Sequence, residues 1–338
     1  MTTGLRISLF VVVAAALIIA TGIYVVAAAS RASERAEAPP QVAVTQVAAM
    51  EQSPRVVFRN TELGSRYGRV SMVSLSDPGG PRAFTGVTCD RVYATSGDAV
   101  CLRTKRGIVT TFEAMQLDAG WKTVRSWSLP GQPSRTRLSP DGTLLATTSF
   151  VTGHSYMQMG FSTATRVRDA DGGDRGDLEK FTLVIGGKTV NPVDRNVWGV
   201  TFGSDDNTIY ATVAAGGNTY LVRGDLAAQT LTAIHQGVEC PSLSPDGSQI
   251  AYKKDVGGAT PDWRIAVLDL ATGHESVLRG EQHSVDDQVE WLDADTLLYG
   301  LPRANHAGVS DIWEIDTNPG SEPSLFIEQA WSPSVVRS

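Results

Sequence analysis

The chain is sparing with the residues that most often carry chemistry. Its five histidines are His154, His235, His274, His283 and His306. None stands at the H-x-x-x-H or H-E-x-x-H spacing that aims two imidazoles at one zinc ion, so a zinc-hydrolase motif is excluded. Only six of the 29 basic residues are lysine, and the formal net charge is −7. A broad nucleic-acid footprint needs a basic face. Lys105 with Arg106, and Lys253 with Lys254, are too sparse to supply one or to hold an anionic membrane surface. Gly153-His154-Ser155-Tyr156-Met157 is the nearest approach to a serine-hydrolase elbow, but it lacks the closing glycine and any strand–turn–helix context. The acidic run Asp169, Asp171, Asp174, Asp177 and Glu179 resembles a calcium loop in composition only. Gly173 stands where an EF-hand needs its third acidic ligand, so the run reads as a solvated turn.

One stretch lacks charge altogether. Ile7 to Ala29 is 23 residues of mostly Val, Ala, Ile and Leu, long enough for a helix to span a bilayer. It ends in Ala27-Ala28-Ala29, a small-residue run suited to signal cleavage. The expectation is a transmembrane anchor or signal peptide over 1–29. No cysteine follows to support lipoprotein processing. Large domains after such a segment translocate largely regardless of charge. Residues 30–338 are therefore expected outside the cytoplasm, either held at the cell membrane through residues 7–29 or secreted. Residues 30–54, rich in Ala, Glu, Pro and Gln, read as a linker.

From Arg55 onward, short runs of Val, Ile, Leu, Tyr and Phe alternate with Gly, Asp, Asn and Pro, and no convincing amphipathic helix interrupts them. That pattern predicts an all-β fold. The runs also repeat. Leu138-Ser139-Pro140-Asp141-Gly142 precedes Leu145-Ala146-Thr147, and Leu243-Ser244-Pro245-Asp246-Gly247 precedes Ile250-Ala251-Tyr252 at the same offset. Weaker copies begin at Phe202, Trp291 and Gly97. Proline, aspartate and glycine in that order suit a tight hairpin turn. Third-strand copies follow near Val70, Phe112, Thr165, Tyr220, Ile265 and Ile312. Six copies of a four-stranded unit predict a six-bladed β-propeller over 55–338. The first copy lacks its inner strand, and Ala330-Trp331-Ser332-Pro333 matches the start of one. We expect Ile327 to Val335 to lie beside Arg55 to Thr61 and close the ring. Trp331 is then expected in the buried place held elsewhere by Leu138, Phe202, Leu243 and Trp291.

At these turns the chain resembles the TolB-type propeller repeat, whose Ser-Pro-Asp-Gly turn followed by a short apolar strand matches 139–147 and 244–252. The resemblance covers about 55–335 and is similar to TolB-like proteins of an actinobacterial type. It implies a six-bladed propeller exported across the inner membrane. In the family's best-known member it implies docking to a lipoprotein through one propeller face. TolB itself has a further N-terminal domain, where this sequence has only the short linker.

Cys89 and Cys101 flank a predicted hairpin, which would set them side by side in an oxidising compartment; a disulfide is expected there, with Cys240 free. Aligning the repeats places Asp90, Arg135, Trp198, Glu239, Asp287, Gln288 and Glu328 around a channel rim. Tryptophan and arginine are frequent anchors in binding surfaces. Together these features point to an extracytoplasmic protein-interaction scaffold of the cell envelope, not an enzyme. Its expected partner is another envelope or secreted protein, with no nucleic acid, metal or cofactor. Two alternatives remain open: a sensory propeller for a small molecule or glycan, and a calcium-dependent lactonase or lyase on which Glu239, Asp287 and Asp90 would have to converge.

Overall fold

A computed structural model describes residues 3–37, 42–151 and 162–337. Six separate sheets, each with four antiparallel strands at its core, form the blades of a propeller. The innermost strands of blades 2 to 6 are Arg91–Ala94, Gln132–Leu138, Asn196–Phe202, Glu239–Leu243 and Glu290–Trp291. In blade 1 that place is taken by Ala330–Val336, which pairs antiparallel with Arg55–Asn60. The blades are held together by apolar residues from both of their faces. Leu144, Ala146 and Val167 of blade 3 pack with Ile209, Ala211 and Val213 of blade 4. Phe58 of blade 1 packs with Leu298 and Ile312 of blade 6. Burial of this alternating kind is what a period-two pattern of β-branched and aromatic residues produces.

The repeated turns behave as their chemistry demands. The Ser244 hydroxyl donates to Asp246 at 2.6 Å, and Asp246 accepts from the Ser248 amide at 3.1 Å. Gly247 follows with φ of +75°, which an L side chain adopts only under strain. Ser139, Asp141 and Gly142 repeat the arrangement. These aspartates shape turns; those hydrogen bonds, the Ser244 hydroxyl first, pull the Asp246 carboxyl down to about 2.

The Cys89–Cys101 disulfide is present, with the two Cα atoms 5.5 Å apart, and Cys240 is free and buried. Ring closure also occurs, with two corrections. Ile327 is not part of the closing strand; it ends Ser324–Ile327, the outermost strand of blade 6. The register differs as well. Leu138, Phe202, Leu243 and Trp291 sit opposite Leu145, Ile209, Ile250 and Leu297. The residue at that level in blade 1 is Val335, opposite Val56, not Trp331. The match of Trp331-Ser332-Pro333 to the turn motif was local. The strand simply continues past it to Val336, so the tryptophan lies four residues nearer the channel mouth.

The linker is partly structured. Val44–Thr45 pairs in parallel with Arg82–Thr88 on the outer edge of blade 1, and Val47 and Met50 pack against the core between blades 1 and 2. Blade 4 carries an additional outer hairpin, Thr182–Ile185 with Lys188–Val190, which the repeat pattern did not reveal. Thr3–Glu37 is an α-helix. Among the described residues no helix is long and apolar enough to cross a membrane, so the span expected over residues 7–29 is not established by the fold.

Candidate functional site

The six innermost strands converge on the central channel, and their pairing registers define which residues share a level. At the mouth stand Arg91, Arg135, Trp198, Glu239 and Trp331, opposite Leu102, Thr148, Thr212, Lys253 and Arg59 on the second strands, with Asp287 of blade 6 reaching Arg91. One residue deeper, in blades 4, 5 and 1, stand Gly199, Cys240 and Ser332. Gly199, Cys240 and Ser332 have φ of +65°, +50° and +57°, and in each of these three blades the strand ladder slips at this level. Such bulges re-aim the side chains beside them. Gly199 cannot be replaced without a shift, because a Cβ there would come within 2.6 Å of the Cys240 Cα.

The mouth is a network of cations, carboxylates and indoles. Arg91 reaches Asp287 at 3.2 Å and lies 5.1 Å from the Trp331 ring. Lys253 Nζ is 2.6 Å from Asp286 and 4.2 Å from the Trp263 ring. Arg135 lies 3.6 Å from Asp286. Trp263 Nε1 donates to Glu239 at 3.1 Å. Burial, and then the neighbouring Arg135, push the Arg91 guanidinium down to about 10 against the pull of Asp287. Burial would raise the Asp286 carboxyl, but Lys253, Arg135 and Arg91 outweigh it and hold the group below its ordinary range. Asp286 nonetheless remains open to solvent, with 63% of its side chain exposed.

Deeper still, a buried ion pair crosses the channel from blade 3 to blade 6. Arg137 donates to Glu290 Oε2 at 3.0 Å, to Ser242 Oγ at 2.8 Å and to the Val289 carbonyl at 3.1 Å. Tyr93 donates to the other Glu290 oxygen at 3.1 Å, and its ring lies beneath the Arg137 guanidinium. Burial raises the Glu290 carboxyl even so. Arg137, Tyr93 and Glu290 were not singled out by the repeat alignment, nor were Arg91, Asp286 and Lys253.

The expected rim residues divide. Arg135, Glu239 and Asp287 do surround the mouth. Trp198 is there but only 8% exposed. Gln288 is buried and donates to the Val200 and Pro241 carbonyls, tying blades 4 and 5 to blade 6. Asp90 accepts from the Thr104 amide at 2.6 Å and so fixes a neighbouring strand, leaving Arg91 as the residue that reaches across the mouth. Glu328 lies outside the ring of innermost strands, on the connection after blade 6, paired with Arg303 at 3.4 Å. Asp90, Glu239 and Asp287 do not converge, and among the described residues no group of three or more His, Cys, Asp or Glu side chains is placed to hold a metal ion. In the acidic run, Asp169 pairs with Arg175, and Asp174 and Asp177 pair with Arg166, as a salt-bridged turn would. His235 lies on an outer strand near Glu275. Gly153 to Met157 lies outside the described residues.

No family model matches the sequence, and no curated protein matches it. Solved structures do match the fold. TolB from Acinetobacter baumannii aligns with a TM-score of 0.56 at 16% identity, over 84% of this chain and 67% of that one. A functionally unknown protein from Desulfotomaculum acetoxidans DSM 771 aligns with a TM-score of 0.50 at 13% identity, over 85% and 99%. At such identities the likeness is one of fold: this chain is a six-bladed propeller whose fold is similar to that of TolB.

Proposed function

We propose that the chain is an extracytoplasmic scaffold of the cell envelope that binds a protein partner, without catalysing a reaction, through the face around the channel mouth. The observation that carries this reading is the mouth itself. Paired cations and carboxylates, with Trp331 and Trp263 beneath two of the cations, surround a channel that the Arg137–Glu290 pair crosses from blade 3 to blade 6. Loops on the same face raise Ile108, Val109 and Val256 into solvent, and exposed apolar tips beside a polar rim are typical of protein contact surfaces. The N-terminal segment joins blade 1 at the opposite end of the strands, where Val44 meets Arg82. The mouth face would therefore point away from an anchor in the membrane. The disulfide supports an oxidising location.

A photo-crosslinking residue placed at Ile108 or Asp286, and separately at Val124 on an outer strand, tests the proposal in intact cells. The expected result is one discrete protein adduct from the two mouth-face positions and none from Val124. No adduct from the mouth face, or the same adducts from all three positions, would overturn it.

A further inference from the structure

The blade interfaces are not filled alike. At the same register, the second strands of blades 1, 5 and 6 place Phe58, Tyr252 and Tyr299 against the preceding blade, and all three are fully buried. These rings fill the space between blades. Blade 4 has Ala211 at this position and blade 3 has Thr147, with Ser149 two residues on and Ala164 opposite Ser149 on the adjoining strand. The small side chains leave a cavity of about 840 Å³ between blade 3 and blade 2, whose facing wall includes Trp127 and Leu129. That volume is in the range of small-ligand sites.

Two polar atoms at the cavity have no partner among the described residues. Ser149 is 1% exposed, and its Oγ makes no hydrogen bond. Arg168 lies 5.6 Å from the Trp127 ring, and its buried Nε is likewise unpartnered. Among the described residues no carboxylate lies within ion-pair distance of Arg168, whereas its neighbour Arg166 is neutralised by Asp174 at 2.8 Å. Buried donors and hydroxyls are normally satisfied, so a half-buried guanidinium with no carboxylate partner and an unpaired buried hydroxyl beside one cavity describe the complement of a ligand. A guanidinium fork matches a carboxylate. Hydroxyl-bearing walls match a polyol, and an indole surface matches the less polar face of a sugar ring. Arg195, the other cation of the lining without a carboxylate partner, is engaged by the Glu179, Phe181 and Val190 carbonyls, and the one guanidinium left is too little for a polyphosphate.

We propose that the cleft between blades 2 and 3 binds an acidic sugar, its pyranose ring against Trp127, its carboxylate on Arg168 and its hydroxyls on Thr147, Ser149 and Ser162. Glu179 also lines the cleft. Burial, and then a hydrogen bond with Asp177, push its carboxyl up to about 7, which lessens its repulsion of an acidic ligand near neutral pH. The site is separate from the channel mouth and does not rest on the protein-partner reading.

Calorimetric titration of the purified chain with a glucuronate-containing disaccharide, and with the matching neutral glucose disaccharide, tests this. The acidic sugar should saturate with a Kd of about 1 mM or tighter. The neutral one should bind roughly tenfold more weakly, the worth of one charge-assisted contact. Arg168→Met should erase that difference. Thr147→Tyr, which restores the ring found in blades 5 and 6, should abolish binding of both sugars while the protein melts cooperatively; Ser149→Leu serves if that variant does not fold. Absence of saturable binding by the acidic sugar, equal affinity for the two sugars, or binding unchanged in Arg168→Met and in the folded cleft-filling variant would each overturn the proposal. Crosslinking from Ile108 should be the same in these variants.

Discussion

Arg137 and Glu290 are the clearest case of two residues whose value lies in each other. Both are nearly inaccessible, and their ion pair is completed by Tyr93, Ser242 and a backbone carbonyl. Removing one partner strands the other charge in a medium that cannot solvate it. Arg137→Met should therefore cost about 3–5 kcal/mol in denaturant unfolding, whereas Arg137→Met with Glu290→Leu should recover most of that loss. A double variant no more stable than the single one would show that the pair is not the source of the cost. The sequence disclosed Arg135 but not this pair, for a physical reason. A strand turns alternate side chains to opposite faces, and a bulge shifts that alternation by one residue without any marker in composition. Counting along the repeats put Trp198 and Glu239 at one level, as their strand pairing does, but set Arg135 a residue deeper than its partner Thr148 shows. It missed by one residue in blade 2, where Asp90 stood in for Arg91, and by four in blade 1, where Glu328 stood in for Ser332.

At the level of elements, the hairpin that opens blade 2 is fastened covalently. Cys89 precedes Arg91–Ala94 and Cys101 lies in Asp98–Lys105, both buried. In the chain-entropy picture, closing a loop of this length contributes about 3 kcal/mol. Cys89→Ser with Cys101→Ser should lower stability by about that amount, read as a shifted denaturant midpoint at unchanged slope. A midpoint equal to that of the parent protein would mean the bond adds nothing to folding. This pairing could be foreseen, because hairpin partners lie close in sequence and the turn residues announce them. The hairpin Thr182–Val190 could not. It joins blade 4 in parallel to Thr230–Gln236, and a parallel partner that distant leaves no local signal. The docking of Val44–Thr45 on blade 1 escaped notice for the same reason, since two residues carry no periodicity.

For the molecule as a whole, blade 1 is the point at which the ring is made or lost. Its inner strand, Ala330–Val336, buries Ala330, Ser334 and Val336 and satisfies the backbone edge of Arg55–Asn60. Trp331 also packs against Gly300 of blade 6, where an added Cβ would meet the indole at 2.4 Å. Deleting residues 330–338 should therefore remove a core strand, not a frayed end. The expected loss is several kcal/mol, a fall in Tm of roughly 10 °C for a domain of this size. A truncated chain that melts within a degree or two of the intact one would show that closure is not what holds the ring.

That seam also sets an order of events. Ribosomes deliver a chain from its N-terminus, so Arg55–Asn60 emerges early and waits while five further blades are made. Among the described strands its inner partner is the last to appear. Contacts this distant in sequence are slow to form, because loop-closure entropy is lost before the contact rewards it. In the interval blade 1 presents an open edge, the kind of surface on which chains pair with the wrong neighbour. The ring-open species is thus the state in which this protein is most exposed to misassembly, and the time spent in it is governed by how soon Ala330–Val336 arrives.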